Sequence, residues 1–287
     1  MTNLIVLLRR CKEKNVIGGI LTLMNPIAAC IQMDIKFGDP EYNFSHAEEK
    51  IAEACEKGEK PDFLLLPELW TTGYDLARLD ETADQEGIQA QAFISRLSQQ
   101  YGVNIIAGSI AKKSQDGITN TLYAVNAAGE TVHEYSKLHL FRLMDEHHYL
   151  TGGNENGLFE IDGLKSAGLI CYDIRFPEWV RYHALNGAEV LFVAAEWPEP
   201  RLDHWRTLLL ARAIENQCFV VACNRSGNDP KNAFAGHSMI IDPWGKVLAE
   251  GDSKEGIVQA ELDLSKVSEA RNRIPVFEDR LPEYYEK

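Results

Sequence analysis

SAGLICYDIRFPEWVRYHALNGAEVLFVAA, residues 166–195, packs a strand, a helix and a second strand into one short stretch. Residues 166–171 are small and almost wholly apolar, as a strand buried on both faces must be, and they end on Cys171. Residues 177–186 read as a helix opening on Pro177, and residues 188–194 as the next strand. Downstream the alternation continues with a helix at 201–216 and a strand at 218–224, then strand candidates at 238–242, 247–250 and 257–262. Upstream, PIAACIQMDI (26–35) is a first strand, and residues 44–57 place Phe44, Ala47, Ile51, Ala54 and Cys55 at helical spacing before Gly58. A strand at 62–66, a helix at 87–101 and a strand expected to run unbroken over 103–110 follow. Strands at 121–126 and 131–135 form a hairpin turning at Ala128-Gly129. Strand–helix alternation in both halves, with hairpins between and after, implies helices covering sheets in an α/β or α+β chain.

No internal repeat or Pro/Ser-rich linker divides the 287 residues, so one domain is expected. With 45% hydrophobic and 25% charged residues, the composition is that of an ordinary globular enzyme. A formal net charge of −14 argues against nucleic acid or an anionic membrane surface as partner. The six cysteines show no C-x-x-C pair, which fits reduced cytoplasmic thiols rather than a disulfide framework or zinc knuckle. His133, His139, His147 and His148 cluster in sequence, but no cysteine or carboxylate arrangement completes a ligand set, so neither metal nor cofactor is expected.

Residues 1–23 carry Arg9, Arg10, Lys12 and Lys14, and Ile27-Ala28-Ala29-Cys30 superficially resembles a lipoprotein cleavage box. Cleavage before Cys30 would cut the first strand, so the segment reads as a non-essential extension before a start near Met24. Residues 24–287 then form the domain, and no apolar stretch is long enough to span a bilayer.

Three segments share a design. Residues 64–68 (LLLPE), 133–137 (HEYSK) and 168–171 (GLIC) each place a reactive side chain at or just past a strand end, where rigid elements can converge on one pocket. Taken singly, Glu68 could be a surface acid, Lys137 a solvated cation and Cys171 an inert buried thiol. Taken together they supply a nucleophile, a base for its proton and a cation for an oxyanion. A papain-like arrangement is weak, because no C-G-x-C-W sequence surrounds Cys171.

Pro67-Glu68-Leu69, residues 136–141 (SKLHLF) and residues 171–178 (CYDIRFPE) resemble the three signature blocks of the nitrilase, or carbon–nitrogen hydrolase, superfamily, in the family's order. The likeness continues through residues 195–198 (AEWP), 211–217 (ARAIENQ) and 236–238 (GHS), covering the chain from about residue 26 to its end. It implies a four-layer α-β-β-α sandwich that dimerises, or assembles further, through its helices. The helix after Cys171 and residues 201–216 are expected at that interface, with Arg212, Glu215 and Asn216 as polar contacts. It further implies Glu68 as general base, Lys137 as oxyanion stabiliser, Cys171 as nucleophile and the Tyr172 backbone N–H as a second oxyanion donor. The family's second glutamate is expected at Glu146 in LMDEHH (143–148), with Asp145 as the competing assignment.

Family nitrilases usually carry Cys-Trp-Glu at the nucleophile; Cys171-Tyr172-Asp173 resembles the amidase and carbamoylase branches instead. The blocks, LWTTGYD (69–75) included, most resemble bacterial omega-amidase-like proteins associated with methionine salvage. That implies a small amide substrate, a 2-oxo acid amide such as 2-oxoglutaramate, with N-carbamoyl compounds or nitriles as alternatives and an idle binding module as the reading from another class. A substrate carboxylate wants a guanidinium. Arg201, just beyond Trp197, is the preferred anchor, against pairing with Glu199 or Asp203. Arg175 is expected to brace the turn by pairing with Asp173 or Glu178.

Overall fold

The computed structural model describes residues 14–17, 20–23 and 25–285. The expected extension, residues 1–23, and Met24 lie largely outside them. β1 (Lys14–Ile17) and β2 (Ile20–Leu23) pair antiparallel and belong to neither of the large sheets.

β3 (Ile27–Gln32) sets the layers by simple alternation. Ala28 and Cys30 join one apolar cluster and Ala29 and Ile31 join another. The second cluster lies under α1 (Pro40–Glu56) and α2 (Ile88–Tyr101), whose Phe44, Ala47, Ile51, Ala54, Ala90, Ile94 and Leu97 fill it. α1 starts earlier than its apolar spacing predicts: the Asp39 side chain accepts the Tyr42 N–H at 3.1 Å and Pro40 occupies the first turn.

The sheet beneath these helices runs β16-β3-β4-β6-β8-β7-β5, with β9 also on β8. Its strands are β4 (Phe63–Leu65), β5 (Asp84–Gln85), β6 (Asn104–Ile106), β7 (Ile110–Ser114), β8 (Gly117–Val125), β9 (Thr131–Ser136) and β16 (Gly256–Glu261). The second sheet is β10 (Leu158–Ile161), β11 (Leu164–Ile170), β12 (Val190–Ala195), β13 (Phe219–Asn224), β14 (Met239–Ile241) and β15 (Val247–Glu250), in that order. Within it β11, β12 and β13 are parallel, as are β3, β4 and β6 in the first. Phe63 faces Phe192 across the gap with centroids 5.8 Å apart, and a Cβ on Gly168 would meet Leu122 at 2.9 Å, so the sheets meet closely here. α3 (Pro177–Leu185) and α4 (Leu202–Asn216) cover the outer face, contributing Val180, Trp205, Leu209 and Ala213. The order of layers is helix, sheet, sheet, helix, as the family resemblance implied.

Two departures have clear causes. Residues 103–110 form two strands, not one, because Gly108 turns the chain at φ 54° and a Cβ there would fall 2.0 Å from the Pro67 carbonyl oxygen. Helix α5 (Ser265–Arg273) went unread because it buries only Val267 and Ala270, too few for a periodic signal.

Candidate active site

Glu68, Lys137 and Cys171 follow β4, β9 and β11 respectively, and the two sheets bring them together. The break at Gly108 positions the first. Ser109 N–H donates to the Pro67 carbonyl at 3.1 Å, Ser109 Oγ accepts the Leu69 N–H at 2.9 Å, and the Ser109 carbonyl accepts the Trp70 N–H at 3.0 Å. The loop carrying Glu68 is thereby bonded to its neighbour, with Leu69 held at φ 42°.

Glu68 is fully buried. Its Oε1 accepts from Lys137 Nζ at 2.8 Å and Asn120 Nδ2 at 2.8 Å and lies 3.2 Å from the Tyr74 hydroxyl; its Oε2 accepts the Glu196 backbone N–H at 2.9 Å. Lys137, also fully buried, reaches Glu146 Oε1 at 2.6 Å, where the Tyr74 hydroxyl donates at 2.5 Å. Glu146 Oε2 takes the Phe141 N–H at 2.6 Å. Of the two residues expected to compete here, Asp145 is exposed, and among them only Glu146 reaches the lysine.

Two carboxylates and one ammonium in a fully buried site perturb one another strongly. Burial alone would lower the Lys137 pKa, but Glu146 and Glu68 outweigh it and hold it above its ordinary value. Burial raises Glu146, opposed by Lys137 and reinforced by Glu68. Burial, with Glu68 adding, raises the Cys171 thiol well above the usual range.

Cys171 sits at φ 43°, left-handed backbone that costs a non-glycine residue roughly 1–2 kcal/mol, at the junction of β11 with the short helix Cys171–Arg175. Asp173 holds that junction. Its Oδ2 accepts the Tyr135 hydroxyl at 2.8 Å and the Ile170 N–H at 3.0 Å, and its Oδ1 lies 2.8 Å from His139 Nδ1. The expected Arg175 brace does not form: Asp173 is taken up by Tyr135, Ile170 and His139, and among the described residues neither it nor Glu178 pairs with Arg175. Arg175 lies over the Trp197 ring at 4.7 Å, its Nη2 3.3 Å from His204.

Cys171 and Glu196 share a cleft with the aromatic rings of Phe141, Tyr172 and Trp197. Arg175 and Arg201, both half-buried, line the same cleft, and Arg201 stands 5.6 Å over Phe141. Trp197 fixes this wall, since its Nε1 donates to the Arg201 carbonyl at 2.7 Å and its N–H to Asn224 at 2.6 Å. Among the described residues no carboxylate pairs with Arg175 or Arg201, so neither the Glu199 nor the Asp203 pairing of Arg201 forms. Also among the described residues, no group of His, Cys, Asp and Glu has the makings of a metal site.

The chain matches the carbon-nitrogen hydrolase family over residues 27–272. It belongs to that family. As a carbon-nitrogen hydrolase it is an enzyme that breaks C–N bonds, with a small amide as substrate. It is 56% identical to the 2-oxoglutaramate amidase of Bacillus subtilis over 257 residues, covering 90% of this chain and 98% of that one. It is 37% identical to the omega-amidase YafV of Escherichia coli K12 over 220 residues, 76% and 84% of the two chains. Among solved structures, XC1258 of Xanthomonas campestris, a CN-hydrolase superfamily protein with an arsenic adduct in its active site, superposes with a TM-score of 0.83. That match has 29% identity and covers 90% of this chain and 97% of that one. Nit3 of Saccharomyces cerevisiae, from branch 10 of the nitrilase superfamily, gives 0.82 at 26% identity over 88% and 96%.

Tyr74, Asn120 and Glu196 escaped residue-by-residue reasoning, and Asp173 entered it only as a block residue and a partner for Arg175. Each was an ordinary polar residue until the fold buried it against the site. The only local signal was that each lies in or near a segment of strand-forming or family-like sequence.

Proposed function

We propose that this carbon-nitrogen hydrolase is an omega-amidase that hydrolyses the terminal amide of a small 2-oxo dicarboxylic acid, 2-oxoglutaramate being the reference substrate. The observation that carries this reading is the cleft itself. A buried thiol beside a carboxylate–lysine cluster shares it with two guanidiniums that no carboxylate among the described residues neutralises. The first feature suits amide chemistry and the second suits the substrate's free carboxylate. The 56% identity to a 2-oxoglutaramate amidase supports the same choice.

In this mechanism Glu68 takes the Cys171 thiol proton as sulfur attacks the amide carbon. Lys137 Nζ holds the developing oxyanion together with the Tyr172 N–H, which lies in a helical first turn where N–H groups lack an intrahelical acceptor. Glu68 returns the proton to nitrogen, ammonia leaves and a thioester remains. Glu68 then deprotonates water, which attacks the thioester and releases the acid and the thiol. Glu146 orients Lys137 throughout, and Tyr74 joins the two carboxylates.

Ammonia release measured on 2-oxoglutaramate, glutamine, asparagine, N-carbamoyl amino acids and simple nitriles tests the assignment. Turnover of carbamoyl compounds with none on 2-oxo amides would reject it. Arg201→Ala and Arg175→Ala should each raise KM for 2-oxoglutaramate more than for an uncharged short amide. Equal effects on both substrates would remove them as anchors.

We further propose a cytoplasmic homodimer built on α3 and α4. Of the polar contacts expected there, Arg212 and Asn216 are buried and partly used within the chain: Arg212 Nε donates to the Ile174 carbonyl at 2.8 Å, and Asn216 Nδ2 to the Arg212 carbonyl at 3.0 Å. Exposed Tyr182, Leu185 and Ile214 on these helices are better candidates, beside a groove lined by Tyr182, Leu185 and Val276. Sedimentation at micromolar concentration should give twice the chain mass. Among the described residues no helix is long and apolar enough to cross a membrane. The extension is proposed to be dispensable, so a chain beginning at Met24 should retain turnover.

A further inference from the structure

The mechanism above gives no task to Glu196, yet this residue is fully buried and lines the catalytic cleft. Arg225 defines one of its oxygens. The guanidinium, itself fully buried, donates from Nη1 to Glu196 Oε2 at 3.0 Å and from Nη2 to Asp34 and to the Ile35 carbonyl, both at 2.7 Å, while stacking on Phe234 at 4.2 Å. The other oxygen, Oε1, is buried and has no hydrogen-bond partner among the described residues. A buried acceptor left unsatisfied costs free energy, and a ligand that brings a donor recovers it.

The location says which donor. The Glu196 backbone N–H is bonded to Glu68 Oε2, so these two carboxyl-bearing residues are tied at one point. Under the omega-amidase reading, on which this inference rests, Glu68 hands its proton to the leaving nitrogen, so that nitrogen must sit within reach of Glu68. A primary amide nitrogen carries two N–H groups there; an ester oxygen in the same place carries only lone pairs. We propose that Glu196 Oε1 accepts an N–H of the leaving amide nitrogen and so sets a preference for a primary amide over an ester of the same acyl group. Arg225 serves it as a positioning residue, holding Oε2 so that Oε1 faces the substrate.

The test compares 2-oxoglutaramate with the 5-methyl ester of 2-oxoglutarate, or the amide and methyl ester of whichever acyl group proves active. Both members of a pair give the same thioester, so differences in kcat/KM arise in acylation. Glu196→Gln keeps an oxygen for Arg225 and turns an NH2 toward the substrate nitrogen, donor against donor. It should lower kcat/KM for the amide by about tenfold or more and for the ester by less than about twofold. Glu196→Asp keeps the charge opposite Arg225 but withdraws the acceptor, and should lower the amide-to-ester ratio in the same direction; it decides the matter if Glu196→Gln does not fold. Equal losses on amide and ester would overturn the assignment of Glu196 alone. Wild-type protein that turns over no amide would overturn the omega-amidase reading and this one with it.

Discussion

Burial and the Glu68 carboxylate both push the Cys171 thiol upward, so the resting side chain is uncharged at neutral pH and ionises only as pH rises beyond the usual thiol range. In the proposed mechanism attack therefore depends on Glu68 removing the proton during the reaction, not on a standing thiolate. The difference in absorbance near 240 nm between wild type and Cys171→Ala should show no thiolate step below about pH 9. A step near neutrality would mean that Lys137 dominates the thiol instead. Cys171→Ala should abolish turnover, and Glu68→Gln or Lys137→Ala should each cost about a thousandfold or more in kcat. Double variants should be little worse than the singles, because the three groups act as one unit. Near-wild-type rates for Lys137→Ala would remove it from the mechanism. Glu68, Lys137 and Cys171 were legible in the sequence because each stands at or just past a strand end, in a block that resembles a family signature. Tyr74 and Asn120 were not, because what singles them out is a bond to Glu68 across 6 and 52 residues of chain.

At the level of elements, the catalytic geometry is a property of strand ends held by neighbouring loops. Gly108 is the sharpest case, at φ 54° against the Pro67 carbonyl. Gly108→Ala should displace the loop bearing Glu68 and lower kcat by about a hundredfold, the scale of loss that a misplacement of about 1 Å produces. It should also lower Tm, and a variant with unchanged kcat would show that the loop does not set the position of Glu68. The same glycine explains why 103–110 reads as one strand: an apolar run with a single glycine carries the signal of a strand, and the turn is imposed by a neighbour far away in sequence. Strands 62–66, 188–194 and 218–224 were readable nearly to their ends because they are buried on both faces and uninterrupted. β10, by contrast, has only four residues and pairs at the sheet edge.

Across the whole molecule, the alternation of strands and helices was visible locally, but the stacking of two sheets was not. No periodicity in β4 or β12 says that Phe63 will face Phe192; only the family resemblance supplied that layer. The stacking has its own effect on the active centre. Glu68, Lys137 and Asn120 hang from one sheet, Cys171 and Glu196 from the other, and one of the bonds across the divide is from the Glu196 N–H to Glu68. The enzyme is therefore a gauge of how its two halves are registered. A sideways slip of an ångström between the sheets would leave every ladder and helix intact and still part the thiol from its base. In a urea titration turnover should fade at concentrations where the far-ultraviolet circular dichroism has not begun to change, and should return at once on dilution.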